Sequence, residues 1–297
     1  LHDLSLEMLG MHGTVYSNYA VHNSDLVIGI GMRFDDRITG DTEQFCPNAK
    51  VIHIDIDPAE ISKNIHADIP IVGDVKNVLI ELLKEVSEKT NIDWLNQIKE
   101  WKNEYPLQYT KRDDEIRPQH AIETISNITK GEAVIITDVG QHQMWTAQYY
   151  KFNKAGNFCS SGGAGTMGYG VPGGMGAQVG RPNDIVVSIV GDGGFQMTSQ
   201  ELMTIMQYKL PVKTVILNNG FLGMVRQWQE IFHSKRYSSV DLSMNPNFVK
   251  LGEAYGMTSI KIEKPEELES KLKEHLLSNE PVLIEIVVTK EDNVFPM

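Results

Sequence analysis

"GDGGFQMTSQELMTIMQYKLPVKTVILNNGFLG" (Gly191–Gly223) opens on a Gly-Asp-Gly and closes just after an asparagine pair. The run before it, "DIVVSIV", reads as a strand that ends at Gly191-Asp192-Gly193. Thr198 and Glu201 have capping-box spacing, and Leu202, Ile205 and Met206 then recur with helical period. Lys209-Leu210-Pro211 breaks that helix. "VKTVIL" is the next strand, ended by Asn218-Asn219. The whole is one βαβ unit, whose right-handed crossover leaves two parallel strands with their carboxyl ends on one edge. Asp192 and Asn219 therefore converge in space, on the edge where ligands bind in open α/β sheets.

The same alternation extends in both directions. "AVIIT", "TSIKI" and "PVLIEIVV" read as further strands, and "PEELESKLKEHLL" as a helix with Pro265 in its first turn. Upstream, "DLVIGIG" (Asp25–Gly31) and "KVIHIDID" (Lys50–Asp57) are unbroken apolar runs of the kind that suit parallel strands buried on both faces. Val75, Val78, Leu79, Leu82, Leu83 and Val86 mark one face of a helix with Asp74 as its N-cap. The expected fold class is α/β, with doubly wound parallel sheets. The expected division is a first domain over 1–105, a linker over 106–117 and a second domain over 118–297.

Composition narrows the function. The chain has 297 residues, 41% hydrophobic and 22% charged, as in a soluble globular protein. Its net charge of −12 leaves no basic face to neutralise a phosphate backbone, so nucleic acid is not an expected partner. No apolar run is long enough to span a bilayer, and no membrane association is expected. Two cysteines make no disulfide framework, so a reducing, cytoplasmic setting is the simpler reading. Leu1 is not an initiator methionine, and the sequence reads as a piece of something longer.

An aspartate and an asparagine at adjacent strand ends, flanked by glycines, offer hard oxygen ligands. They suit a Mg²⁺ ion that keeps a diphosphate among its other ligands. The glycines let backbone N–H groups approach the phosphates, and the following helix N-terminus favours negative charge. The competing structural reading is a plain strand-end turn. The spacing resembles the thiamine diphosphate (ThDP) binding motif, which opens with Gly-Asp-Gly and ends in Asn-Asn. The resemblance then widens. "GMHGTVYSNYAVHNSDLVIGIGMRFDDRITG", "DVGQHQMW", "SSGGAGTMGYGVPGG" and "NNGFLGMVRQWQEIF" together resemble the large catalytic subunit of biosynthetic acetohydroxyacid synthase, also called acetolactate synthase.

That resemblance implies Mg²⁺ ligation by Asp192, Asn219 and the carbonyl of Phe221. It implies diphosphate contacts from Gln141, His142, Gly193 and Gly194, and backbone contacts to the aminopyrimidine from Gly165 and Met167. Thr166, Gly220, Leu222, Gly223 and Met224 complete the implied ThDP surroundings. It further implies FAD along Leu9, Gly10, Met11 and His12, along Gly31, Met32, Arg33, Phe34 and Asp35, and along Asp55, Ile56, Asp74 and Val75. "GIGMRF" alone is a poor dinucleotide fingerprint, because Phe34 stands where its third glycine belongs. Arg37 would hold a 2-keto acid carboxylate, for which a guanidinium fork is well shaped. An ion pair with Asp35 or Asp36 is its structural alternative. Met224 and Trp228, four apart on a helix, would sit at the active-site mouth. By spacing alone such a pair is more often core.

The implied activity is ThDP-dependent condensation of pyruvate with a second 2-keto acid, with loss of CO₂. Pyruvate as second substrate gives acetolactate, and 2-ketobutyrate gives acetohydroxybutyrate, in branched-chain amino-acid biosynthesis. The family's first domain, which carries the activating glutamate, has no counterpart in this sequence. Glu201 and Glu230 read as a helix cap and a solvated face. No catalytic side chain is therefore assigned, and the isolated chain is expected to be inactive. The family forms homodimers or tetramers, with a regulatory small subunit as a further partner. Two other readings stay open: another ThDP-dependent 2-keto acid decarboxylase or carboligase, and a noncatalytic ThDP-binding module.

Overall fold

The computed structural model describes residues 2–295, with Leu1, Pro296 and Met297 outside it. The chain divides into two compact units, one built mainly of Leu4–Gln108 and the other of Tyr109–Val294.

In Leu4–Gln108, strands β1 (Leu26–Ile30), β2 (Lys50–Asp55) and β3 (Ile69–Val72) form a parallel sheet in that order. β3 pairs Pro70 with His53. Proline has no N–H to donate and survives here because β3 lies at a sheet edge. That proline is why the segment does not read as a strand in the sequence. Asp74 caps the helix Val75–Glu85, accepting the Asn77 N–H at 3.1 Å. The helices Val15–His22 and Ile92–Glu104 meet through edge-on aromatic contacts between Tyr19 and Trp101.

The expectation that these strands are buried on both faces fails for β1. Leu26, Ile28 and Ile30 alternate outward and are 47%, 43% and 42% exposed. β1 is also an edge strand, and the described residues cover only one of its faces. The small core lies on the other side, around Phe34, Cys46, Val51 and Ile65.

In Tyr109–Val294, six strands form a second wholly parallel sheet. They are β4 (Val134–Thr137), β5 (Phe158–Cys159), β6 (Val186–Gly191), β7 (Lys213–Asn218), β8 (Thr258–Ile262) and β9 (Val282–Val287). Their order is β5-β4-β6-β7-β9-β8. Every residue of β4 is buried, as are all but the last of β6, β7 and β9. Apolar side chains from several elements close the core, among them Val171, Phe195, Leu202, Ile205, Ile216 and Phe248.

One local expectation changes. The helical chain after β6 begins at Asp192, as Asp192–Thr198, and resumes as Glu201–Gln207. Thr198 does not cap it, because its hydroxyl donates to the Gly168 carbonyl at 2.9 Å. Starting at Asp192 puts the first-turn N–H groups beside the strand end, where an anion is favoured.

Candidate functional site

From β4 the chain goes to β5 on one side and returns to β6 on the other. Such a reversal opens a crevice at the carboxyl ends of the two strands. A cavity of about 190 Å³ lies there. Val139, Gly140, Gln141 and His142 line it after β4, and Gly191, Asp192, Gly193 and Gly194 at the end of β6. Asn219, Phe221, Leu222, Gly223 and Met224 follow β7, Val288 follows β9, and Met167 adds a loop side chain.

The two ends of the quoted stretch thus meet at one cavity. Gly220 has φ +70°, a conformation that costs a glycine little. This turn lets the Phe221 N–H reach Asn219 Oδ1 at 3.1 Å. Gly165 and Thr166 lie on an exposed loop, with the Thr166 N–H donating to Ser161 Oγ at 2.8 Å. Trp228 is one turn beyond Met224 on the helix Gly223–Phe232, 36% exposed and edge-on to Phe232.

Asp192 is buried, and burial pushes its carboxyl up to about 6, against hydrogen bonds from Asn245 and nearby backbone N–H groups. It is an acid with neutral donors around it. Among the described residues, no cluster of three His, Cys, Asp or Glu side chains stands ready for a metal. A cation here would rest on Asp192 and neutral oxygens, leaving room for phosphate oxygens and water, which is how Mg²⁺ prefers to bind. Burial likewise drives His142 down to about 4, with Asp138 opposing, so the ring is neutral near pH 7. Its Nε2 is buried without a hydrogen-bond partner. A Cβ on Gly191 would fall 2.9 Å from His142 Nδ1, and one on Gly223 would fall 2.0 Å from Gln141 Oε1. A buried acid, an orphaned ring nitrogen and a glycine-lined cradle fit a metal-bound diphosphate.

Gln141 is engaged inward. Its Nε2 donates to Gln227 Oε1 at 2.8 Å and to the Asp292 carbonyl at 3.0 Å, while its Oε1 accepts from Asn219 Nδ2 at 3.3 Å. It orients Asn219 as well as lining the cavity. Two residues escaped the sequence reading. Asp138, fully buried, accepts the N–H groups of Val139, Gly168 and Gly170 at 2.8–3.0 Å and so pins the loop that carries Met167. An acid at a strand end before Val139-Gly140 was the available signal. Asn245 donates to Asp192 Oδ2 at 2.6 Å, with nothing local in the sequence to mark it. Glu230 is no solvated face: it pairs with the buried Arg226 at 2.6 Å. Arg226 in turn lies over the Phe221 ring, 5.6 Å from its centroid. Glu201 stands in the first turn of its helix without capping it.

In the other unit, Gly31, Asp55, Ile56, Asp74 and Val75 gather at the carboxyl edge of the small sheet. The Gly31 N–H donates to the Ile54 carbonyl at 2.8 Å and the Gly73 N–H to the Asp55 carbonyl at 2.9 Å. A Cβ on Gly31 would meet open space, and Ile56 is 70% exposed. Leu9, Gly10, Met11 and His12 pack on the short helix Asp36–Thr39, since a Cβ on Gly10 would fall 2.3 Å from the Arg37 carbonyl. Burial lowers the His12 pKa, and Arg37 adds to the effect. Phe34 points inward, 2% exposed and edge-on to His53, whose Nε2 lies 2.8 Å from the Met32 carbonyl. Arg33 pairs with Asp35, and Arg37 Nη1 with Asp36 Oδ2 at 2.9 Å, both pairs solvent-accessible. The ion-pair alternative for Arg37 is therefore the arrangement observed. An open edge with two acids and a left-handed glycine fits a dinucleotide's hydroxyl and phosphate groups.

Comparison with known proteins agrees in order and extent. Residues 138–286 match the thiamine pyrophosphate enzyme C-terminal TPP binding domain, and residues 1–82 match the central domain of the same enzymes. The acetolactate synthase large subunit of Haemophilus influenzae is 48% identical over 98% of this chain and 52% of its own length. The isozyme 3 large subunit of Escherichia coli is 46% identical over 100% and 53%. The large subunit of the alga Porphyra purpurea is 46% identical over 99% and 51%. The chain spans about half the length of these curated relatives. No helix among the described residues is long and apolar enough to cross a membrane. The chain belongs to the thiamine pyrophosphate enzyme family, with acetolactate synthase large subunits among its relatives there.

Proposed function

We propose that this chain forms the metal- and diphosphate-holding part of an acetolactate synthase large subunit. The reaction condenses pyruvate with a second 2-keto acid, pyruvate or 2-ketobutyrate, and releases CO₂. The observation that carries this reading is the convergence of Asp192, Asn219 and the orphaned His142 Nε2 on one glycine-lined cavity. Bound ThDP supplies a nucleophilic carbon to which the keto acid adds and from which CO₂ departs.

The protein's share is binding and orientation. Asp192, Asn219 and the Phe221 carbonyl would hold Mg²⁺, and the N–H groups of Gly193 and Gly194 would face the diphosphate. His142 would present Nε2 to a phosphate oxygen. A phosphate there favours the protonated ring, so its depressed pKa should rise on binding. Met167, lining the cavity, would prop the cofactor. FAD would lie along the carboxyl edge of β1–β3, in a structural role. Arg37 would leave Asp36 for a keto acid carboxylate, and Met224 with Trp228 would shape the acceptor's surroundings. A homodimer or tetramer, a regulatory small subunit and a cytoplasmic setting belong to the same proposal.

The activating glutamate has no counterpart among these 297 residues, and losing a general acid–base group costs roughly 10²–10⁴-fold in rate. The isolated chain supplied with ThDP, Mg²⁺ and FAD should therefore make no measurable acetolactate from pyruvate. A full-length subunit carrying these residues should make it. Turnover by the isolated chain near full-length rates would place the acid within this sequence. Acetaldehyde in place of acetolactate from the full-length protein would favour a decarboxylase.

A further inference from the structure

Asp192 is held by a segment far from it in sequence. After β7, residues 220–222 pair antiparallel with residues 240–242. The Leu222 N–H donates to the Val240 carbonyl at 2.9 Å, and the Leu242 N–H to the Gly220 carbonyl at 2.8 Å. The Asn245 N–H then donates to the Leu242 carbonyl at 3.0 Å, which turns the Asn245 side chain into the site.

Its amide is fixed at both ends. Gln196 Nε2 donates to Asn245 Oδ1 at 2.8 Å and to the Asp192 carbonyl at 3.1 Å. The oxygen of the Asn245 amide thus faces Gln196, and its nitrogen faces Asp192. Asn245 Nδ2 donates to Asp192 Oδ2 at 2.6 Å and reaches Asn218 Oδ1 at 3.3 Å. Asn218 is anchored in turn, its Nδ2 donating to the buried Glu285 at 2.7 Å. One short donor therefore occupies one of the two carboxylate oxygens.

We propose that Asn245 is a positioning residue that restricts Asp192 to single-oxygen ligation and so selects Mg²⁺ over Ca²⁺. This rests on the reading of Asp192 as a metal ligand. Mg²⁺ demands near-octahedral geometry with short bonds, whereas Ca²⁺ accepts bidentate carboxylates and irregular shells. An Asp192 with both oxygens free would suit the larger ion better. Partners that orient a ligand typically change metal affinity 10–100-fold when removed.

The test uses the full-length subunit carrying these residues, stripped of metal and given ThDP. Mg²⁺ and Ca²⁺ compete against Mn²⁺, with bound Mn²⁺ read by electron paramagnetic resonance. The parent should prefer Mg²⁺. Asn245→Ala and Asn245→Ser should each lower the Mg²⁺/Ca²⁺ preference by about tenfold, mainly through weaker Mg²⁺ binding. General loosening of the loop would weaken both ions alike and leave the ratio in place. If both variants keep the parental ratio while Asp192→Ala loses the metal, the inference about Asn245 falls and the site stands. If Asp192→Ala keeps the metal, the site reading falls, and this inference with it.

Discussion

The two units carry the same kind of sheet and finish it differently. In Tyr109–Val294 the central strands are covered on both faces, and the site side chains rise from a closed core. In Leu4–Gln108 the outer face of β1 stays open, and the helix Val75–Glu85 has no fully buried residue. Acids at the strand ends follow the same division. Asp138 and Asp192 are buried beneath neutral donors, while Asp36 pairs with an arginine in solvent. Burial is what makes a carboxylate's charge expensive and its contacts specific. The larger unit thus has a preorganised site, and the smaller one an accessible edge.

The largest expected effect that separates them is Asp138→Ala. It would strip the partner from three buried N–H groups, at about 1–3 kcal/mol each. Chemical denaturation of the larger unit should lose about 4 kcal/mol. A loss below about 1 kcal/mol would mean that the loop carrying Met167 does not depend on this acid.

The next tests burial itself. At pH 7 Asp192 is ionised in both the folded and the unfolded chain. Its folded pKa of about 6, against an ordinary 3.8, leaves the cofactor-free fold less stable above pH 6, and that loss is recovered as pH falls toward 4. His142 acts oppositely. With a folded value of about 4 against 6.5, it destabilises the fold as pH falls across that window. The two slopes offset each other between pH 4 and 6. Asp192→Asn should raise stability of the cofactor-free protein at pH 7 by up to about 3 kcal/mol. It should also uncover a comparable fall toward pH 4, readable in urea melts across pH. An unchanged profile would show that the carboxylate is not confined as described.

Much of the larger unit was legible because its strands are short apolar runs ended by glycine or asparagine, and its site lies at those ends. Asp138 and Asn245 were not legible, since each acts through backbone or loop contacts that no spacing announces. β3 was hidden by Pro70, which only an edge position tolerates. Thr198 and Glu201 have the letters of a cap, but tertiary contact with the Gly168 carbonyl took the hydroxyl. The outward face of β1 shows the limit of reading apolar runs as buried. The run sets what could be covered, and the neighbouring elements decide what is.

Smaller effects belong to the smaller unit. Arg37→Ala in a full-length subunit should raise KM for 2-keto acids about tenfold or more, as loss of a charge-assisted pair worth about 1.5–3 kcal/mol does. Mg²⁺-dependent ThDP binding should not change. A KM within about twofold of the parent would leave Arg37 as the partner of Asp36 only. Asp74→Ala should cost about 1 kcal/mol through the lost helix cap, seen in denaturation of the smaller unit alone.

The central claim is that the crevice between β4 and β6 holds Mg²⁺ and the diphosphate through Asp192. The most direct measurement is calorimetric titration of ThDP into the full-length subunit, with Mg²⁺ and with chelator, for the parent and for Asp192→Ala. Binding heat should appear in the parent with Mg²⁺, vanish with chelator and be absent from Asp192→Ala under both conditions. Parental ThDP affinity in Asp192→Ala would contradict the account.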